Sequence, residues 1–216
     1  MPELTVELLN SEAKTFADIE SSHDEPALFG VDNGKAVGTY FEHKFQAYLH
    51  GKYEYGEGSS AKGIDFPGLG VDMKVTSIKQ PQSSCPYKSA RQKIYGLGYA
   101  LLIFVYEKTD NSQNSTGRLK ILHVIFVEKQ RTADFQMTTG LVSILKNDGN
   151  KDDLTAFMND KMLPVEEIEA SSIADELLEK PPQIGYLTIS NALQWRLQYS
   201  RVIEKAGAVP GVLRIK

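Results

Sequence analysis

With 216 residues, the chain is long enough for one domain with a well-buried core, and its 41% hydrophobic and 24% charged residues exclude a disordered or fibrous protein. The net charge is 24 − 28 = −4 and the pI is near 5.6, which argues against a polycation that coats nucleic acid but leaves room for a local basic cleft. No apolar run approaches bilayer-spanning length, Met1–Asn10 lacks the basic start and apolar stretch of a secretory signal, and Cys85 is the sole cysteine, so the expectation is a disulfide-free cytoplasmic protein.

In chain order, Ser11 is a candidate cap for a short helix through Glu20. After a loop over Ser21–Asn33, the apolar residues Val37, Tyr40, Phe41, Phe45, Tyr48 and Leu49 recur at helical spacing, which predicts a helix from Lys35 to His50 stopped by Gly51. Strands are expected at Tyr53–Glu57, Gly63–Phe66 and Val71–Thr76, then a helix over Pro86–Leu97. The run Ala100–Lys108 is too apolar for an exposed strand and is expected at the centre of a sheet. A polar turn over Thr109–Gly117 joins it to a strand at Leu119–Val127; Asn114-Ser115-Thr116 matches a glycosylation acceptor but, without a secretory signal, reads as part of that turn. Helices follow at Ala133–Lys146, Asp153–Met162 and Glu166–Leu178, the acidic ones read as solvated exterior, and Pro181-Pro182 closes that region. Ser190 could cap a helix over Asn191–Ala206, although Leu193–Tyr199 alternates with the period of a strand; Asn191, Gln194, Arg196, Gln198 and Arg201 there could dock in a groove or at a dimer contact. A short strand, Val212–Lys216, ends the chain. The resulting fold class is α/β, a central mixed β-sheet flanked by helices, in a single domain over 1–216.

The most informative stretch is the turn Pro67-Gly68-Leu69-Gly70. If its flanks pair as antiparallel strands, Phe66 faces Val71, Asp65 faces Asp72 and Ile64 faces Met73. Side chains alternate across a strand, so one face carries Ile64, Phe66, Val71, Met73 and Val75 and the other Asp65, Asp72, Lys74 and Thr76. Facing β-carbons sit about 4.5–5.5 Å apart, where two carboxylates repel unless a cation lies between them. Mg²⁺ suits such a pair, because one or two carboxylates usually hold it and water or phosphate completes its shell. Asp65 could instead be an ordinary turn residue, and Asp72 with Lys74 the solvated face of a hairpin.

Glu42 on the preceding helix, Asp65 at the end of one strand and Asp72-Met73-Lys74 on the next, followed by a helix and a buried strand, together resemble the PD-(D/E)XK nuclease superfamily, which includes most type II restriction endonucleases. Ile64-Asp65 stands where that family's proline-aspartate pair would be. The resemblance covers roughly Lys35–Val127, which would be the catalytic core, with a helical C-terminal part over about 131–216. It implies a restriction-endonuclease-like fold in which Asp65, Asp72 and the carbonyl of Met73 bind Mg²⁺. Lys74 would orient and help deprotonate the attacking water, and Glu42 could reach the metal site or pair with Lys44 or Lys35.

Downstream, Lys79, Lys88 and Arg91 are candidates for gripping phosphates, and Gln80, Gln82, Ser83 and Ser84 for reading base edges. The implied function is a type II restriction endonuclease that hydrolyses phosphodiester bonds at a short double-stranded DNA sequence, leaving 5′-phosphate and 3′-hydroxyl ends. A homodimer and a cognate DNA methyltransferase are expected with it. The alternatives are a repair or recombination nuclease of the same superfamily and a non-catalytic DNA-binding protein on a nuclease-like fold.

Overall fold

The computed structural model describes residues 1–56, 64–85, 88–190 and 195–216. The elements run α1 (Val6–Ser21), α2 (Gly34–His50), β1 (Val71–Ser77), β2 (Gln82–Cys85), α3 (Gln92–Tyr95), β3 (Ala100–Asn111), β4 (Thr116–Val127), α4 (Phe135–Lys146), α5 (Lys151–Asp160), α6 (Glu167–Glu179), β5 (Thr188–Ile189), β6 (Trp195–Gln198), α7 (Ser200–Lys205) and β7 (Val212–Arg214). They gather into two compact units, one of Met1–Ser83, Ala100–Val127 and Lys205–Lys216, the other of Ser84–Tyr99 and Glu128–Glu204. No helix among the described residues is long and apolar enough to cross a membrane.

The first unit is built on a mixed sheet of order β1-β3-β4-β7, with β1 parallel to β3 and the β3–β4 and β4–β7 pairs antiparallel. As expected, the apolar run sits inside this sheet: Leu102, Phe104 and Tyr106 join the core beneath the helices, and the alternating Leu101, Ile103 and Val105 are equally buried. Helix α1 packs on β4 and α2 on β1. Thr5, whose hydroxyl accepts from the Leu8 N–H, starts α1 six residues before the expected cap Ser11. Leu9, Ala13, Phe16 and Ala17 then fall on one buried stripe, with Phe16 against Phe41 at 5.3 Å and Phe104 at 4.7 Å from Phe41. Two glutamates bind α1 to α2: Glu12 accepts from Tyr48 and Tyr53, and Glu20 accepts from Tyr40 at 2.9 Å while pairing with Lys44 at 2.8 Å.

The expected three-strand meander is reduced. Among the described residues only the bridges Glu3–Glu54 and Phe66–Val71 replace its first two strands, because the chain turns at Pro67 and the outer edge of β1 is met by a side chain rather than by a second strand. Glu57, the Gly58–Lys62 loop and Gly63 lie outside the described residues. The polar turn after β3 is also shorter than expected, since both strands extend along the ladder and Asn111 pairs with Thr116.

In the second unit, α4, α5 and α6 enclose Met137, Leu141, Leu154, Met158, Ile173 and Leu177. Asp134 caps α4, and Asn150 with Asp153 forms a capping box on α5. Among the described residues the helix expected over Pro86–Leu97 is one turn, ended by Gly96 at φ +91°, a conformation that favours glycine; Pro86 and Tyr87 lie outside the described residues. Gln92 substitutes for the missing turns: its side chain accepts from the Lys88 N–H and donates to the Leu97 carbonyl. Strand β5 pairs antiparallel with β6, Thr188 opposite Gln198. The alternation near the C-terminus is therefore a strand at Trp195–Gln198, and helix is confined to Ser200–Lys205; Asn191–Gln194 lie outside the described residues.

Candidate active site

The turn at Pro67 works as its sequence suggests. Phe66 and Val71 exchange both backbone hydrogen bonds, at 2.9 and 3.2 Å, and Gly70 takes φ +63°, which closes the reversal at little cost for a glycine. This sets Asp65 beside Asp72. Asp65 Oδ2 then accepts the Met73 N–H at 2.8 Å, so the carboxylate satisfies an edge donor of β1 and is itself held in place. Met73 is fully buried in the core, which leaves Asp72 and Lys74 on the opposite face of the strand.

Asp72 is 3% exposed, and its Oδ2 pairs with Lys74 Nζ at 2.7 Å. Burial is the main influence on Asp72 and pushes its titration up to about 7; attraction to Lys74 opposes this, and a hydrogen bond with the Asp65 carboxyl adds to it. For Lys74 burial acts downward, but the pair with Asp72 and the fields of Asp65 and Glu42 outweigh it and raise the ammonium's titration. Glu42, half-buried on α2, is raised by burial first and by Asp65 second, with Lys74 and His43 opposing. Lys44, one of its candidate partners, is instead paired with Glu20. The four residues Glu42, Asp65, Asp72 and Lys74 thus share one electrostatic environment within the first unit.

Among the described residues no group of three or more His, Cys, Asp or Glu side chains is gathered closely enough to hold a metal by itself. The carboxyl pair Asp65–Asp72 with the Met73 carbonyl is the donor set this strand offers. It is chemically suited to a hard cation, since two carboxyls sharing a hydrogen bond in a buried place are what a divalent ion would relieve. Glu42 contributes charge rather than a third close oxygen.

The expected DNA-contacting residues differ in exposure. Lys79 and Gln80 are exposed on the loop that leaves β1, Gln82 and Ser83 are half-buried, and Ser84 and Lys88 are exposed. Arg91 is held by Glu169 and Glu176, each at 2.7 Å, which raises its titration chiefly through the Glu176 hydrogen bond. The acidic face of α6 is therefore partly an ion-pair partner, not only solvated exterior. The sequence placed Thr76 on the polar face of β1 but gave it no role. This buried residue is on the same face as Asp72 and Lys74, its Oγ1 accepts the Gln82 N–H at 3.0 Å and lies 3.2 Å from the Gln82 carbonyl, and it fastens the loop bearing Lys79 and Gln80. Its place on the polar face was readable from the period of two; the return of the loop onto it was not.

No solved structure matches the chain. Its sequence is 66% identical to a type II restriction enzyme, NspV, of Nostoc sp. (strain ATCC 29411 / PCC 7524), over 212 residues that cover 98% of this chain and 96% of that protein. The profile of the family described as "Type II restriction enzyme NspV" matches residues 3–214. With nearly the whole length matched, the chain belongs to the NspV family of type II restriction enzymes.

Proposed function

We propose that the chain is a Mg²⁺-dependent type II restriction endonuclease of the PD-(D/E)XK kind, hydrolysing phosphodiester bonds at a short double-stranded DNA sequence to leave 5′-phosphate and 3′-hydroxyl ends. The observation that carries the residue assignment is the contact set on β1: Asp65 anchored by the Met73 N–H at 2.8 Å and Lys74 on Asp72 at 2.7 Å. Asp65, Asp72 and the Met73 carbonyl would hold the metal. When bound, Mg²⁺ would make the attacking water more acidic and offset charge on the phosphate oxygens.

The chain's own residues do the positioning. Lys74 stays protonated, because Asp72, Asp65 and Glu42 all favour its charge, and it donates to the attacking water or to a phosphate oxygen instead of acting as a base. Glu42 keeps a third acidic group in the site, steadying the ammonium. Asp65 acts twice, as a ligand and as the acceptor that fixes the register of β1. Lys79, Gln80, Gln82, Ser83, Ser84 and Lys88 are assigned to DNA contact, while Arg91 is committed to Glu169 and Glu176. A symmetric homodimer would cut both strands of a palindromic site, and a cognate methyltransferase would protect the cytoplasm's own DNA.

Plasmid DNA incubated with the protein and Mg²⁺ should yield discrete fragments whose sequenced ends share one short motif. A smear of fragments would favour a repair nuclease, and intact plasmid under every divalent metal would overturn the nuclease reading.

A further inference from the structure

Most strongly placed cations of this acidic chain already face a carboxylate, as Lys44, Lys52, Arg91, Arg118 and Lys216 do. Arg196 and Arg201 differ: neither makes an ion pair among the described residues. They belong to a stretch, Lys180–Ile203, that contains Lys180, Arg196 and Arg201 and no aspartate or glutamate, in a chain whose net charge is −4. A local absence of acids inside an acidic sequence leaves a surface suited to an anion.

The fold organises that stretch into a face. On β6, Trp195 and Leu197 are buried, and Arg196 and Gln198 are exposed between them. Gln198 lies opposite Thr188, so their side chains share the outer face of the β5–β6 pair. Arg201 reaches the same place from α7: its guanidinium lies over the Phe135 ring at 4.0 Å and donates Nη1–H to Thr188 Oγ1 at 3.0 Å. Stacking and one hydrogen bond hold it extended, with further donors unused by any carboxylate. One amide, able to donate and accept, is thus flanked by two unneutralised guanidiniums on the outer face of a small sheet of order β2-β6-β5.

We propose that this outer face of β5–β6, carried by Arg196, Gln198 and Arg201, is a DNA-contacting surface in which Gln198 reads a base edge and the two arginines hold the backbone. In the major groove a glutamine can pair with the adenine edge through both of its polar atoms. Phosphate contacts by arginine fix register without reading sequence. The inference rests on the nuclease reading for its partner, duplex DNA, but it concerns residues of the second unit that the cleavage chemistry does not use.

The test uses the full chain with Arg196→Ala and Gln198→Ala, both exposed positions whose variants should keep the parent's melting temperature. Binding is measured by fluorescence anisotropy in Ca²⁺ across a salt series, on the parent's cleavage site and on duplexes changed at one base pair. Arg196→Ala should weaken binding to all sequences alike and make the log–log salt slope shallower by about one. Gln198→Ala should leave binding to unrelated DNA unchanged and reduce discrimination at one base pair by about 5- to 150-fold, the effect of one lost two-point contact. Folded variants with the parent's affinity, salt slope and discrimination would overturn the proposal. So would variants that lose only self-association, which would make the face a contact between copies of the chain. Failure of the nuclease reading is seen separately, in an unmutated protein that neither binds nor cuts duplex DNA.

Discussion

Asp72→Asn should cost the protein its activity and make it more stable, with the gain depending on pH. The native carboxyl titrates at about 7 because it is 3% exposed and beside Asp65, whereas the unfolded chain releases that proton near its ordinary value of 3.8. The folded-state value is the higher one, so the native state holds a proton that the unfolded state gives up between about pH 4 and 7. The parent's stability therefore falls as pH rises through that window. A rise of about 3 units at about 1.4 kcal/mol each amounts to about 4 kcal/mol against the folded state at pH 8. That figure is already net of the attraction to Lys74, so removing the charge recovers at most about 4 kcal/mol at pH 8, a rise in melting temperature of up to about 8–16 °C. Urea unfolding of both proteins without metal, from pH 4 to 8, measures it: the curves should lie closest at the acid end, separate progressively up to about pH 7 and run parallel above it. An Asn variant less stable than the parent at pH 8, or a difference that does not change with pH, would refute the electrostatic account of this site.

Four other substitutions probe separate parts of the argument. Lys74→Ala should lower single-turnover cleavage by about 10²- to 10³-fold with DNA affinity in Ca²⁺ nearly unchanged, because the ammonium orients rather than anchors. Phe104→Ala opens the space beneath Phe41 and Phe45 and should cost about 3–5 kcal/mol in chemical denaturation. Gly117→Ala would bring its new methyl group to 2.8 Å from the backbone oxygen of Leu28, and should cost about 1–3 kcal/mol by the same assay. Arg91→Ala should reduce stability by about 0.5–1 kcal/mol through loss of Glu169 and Glu176 and leave the salt slope of DNA binding unchanged; a shallower slope would move Arg91 to the DNA.

The central sheet and the pairing of Asp65 with Asp72 were legible because their signals are local. A seven-residue apolar run, Ala100–Tyr106, has few solutions other than an inner strand, and Pro67–Gly70 sets Asp65 beside Asp72 by counting alone. What escaped depends on contacts distant in sequence. Asp65 meets β1 through its side chain, a choice that a strand pattern at Gly63–Phe66 cannot reveal. Thr5 displaced Ser11 as the cap of α1 because the apolar stripe begins at Leu9, earlier than the periodicity seen from Ser11 onward. Gln92 lets the segment after β2 dispense with all but one helical turn, and its two bonds reach Lys88 and Leu97 from the middle of a loop. The ion pairs of Arg91 span 78 and 85 residues, and a basic helix read in isolation does not reveal them.

The most direct test of the central claim pairs cleavage with binding in Asp72→Ala. Plasmid carrying the parent's site should remain intact after prolonged incubation in Mg²⁺, while the variant's affinity for the same duplex in Ca²⁺-free buffer stays within about threefold of the parent's, since the role proposed for Asp72 is to hold metal and Lys74 rather than DNA. A folded Asp72→Ala protein that cuts at the parent's rate would contradict the assignment of Asp65, Asp72 and Lys74 as the active site.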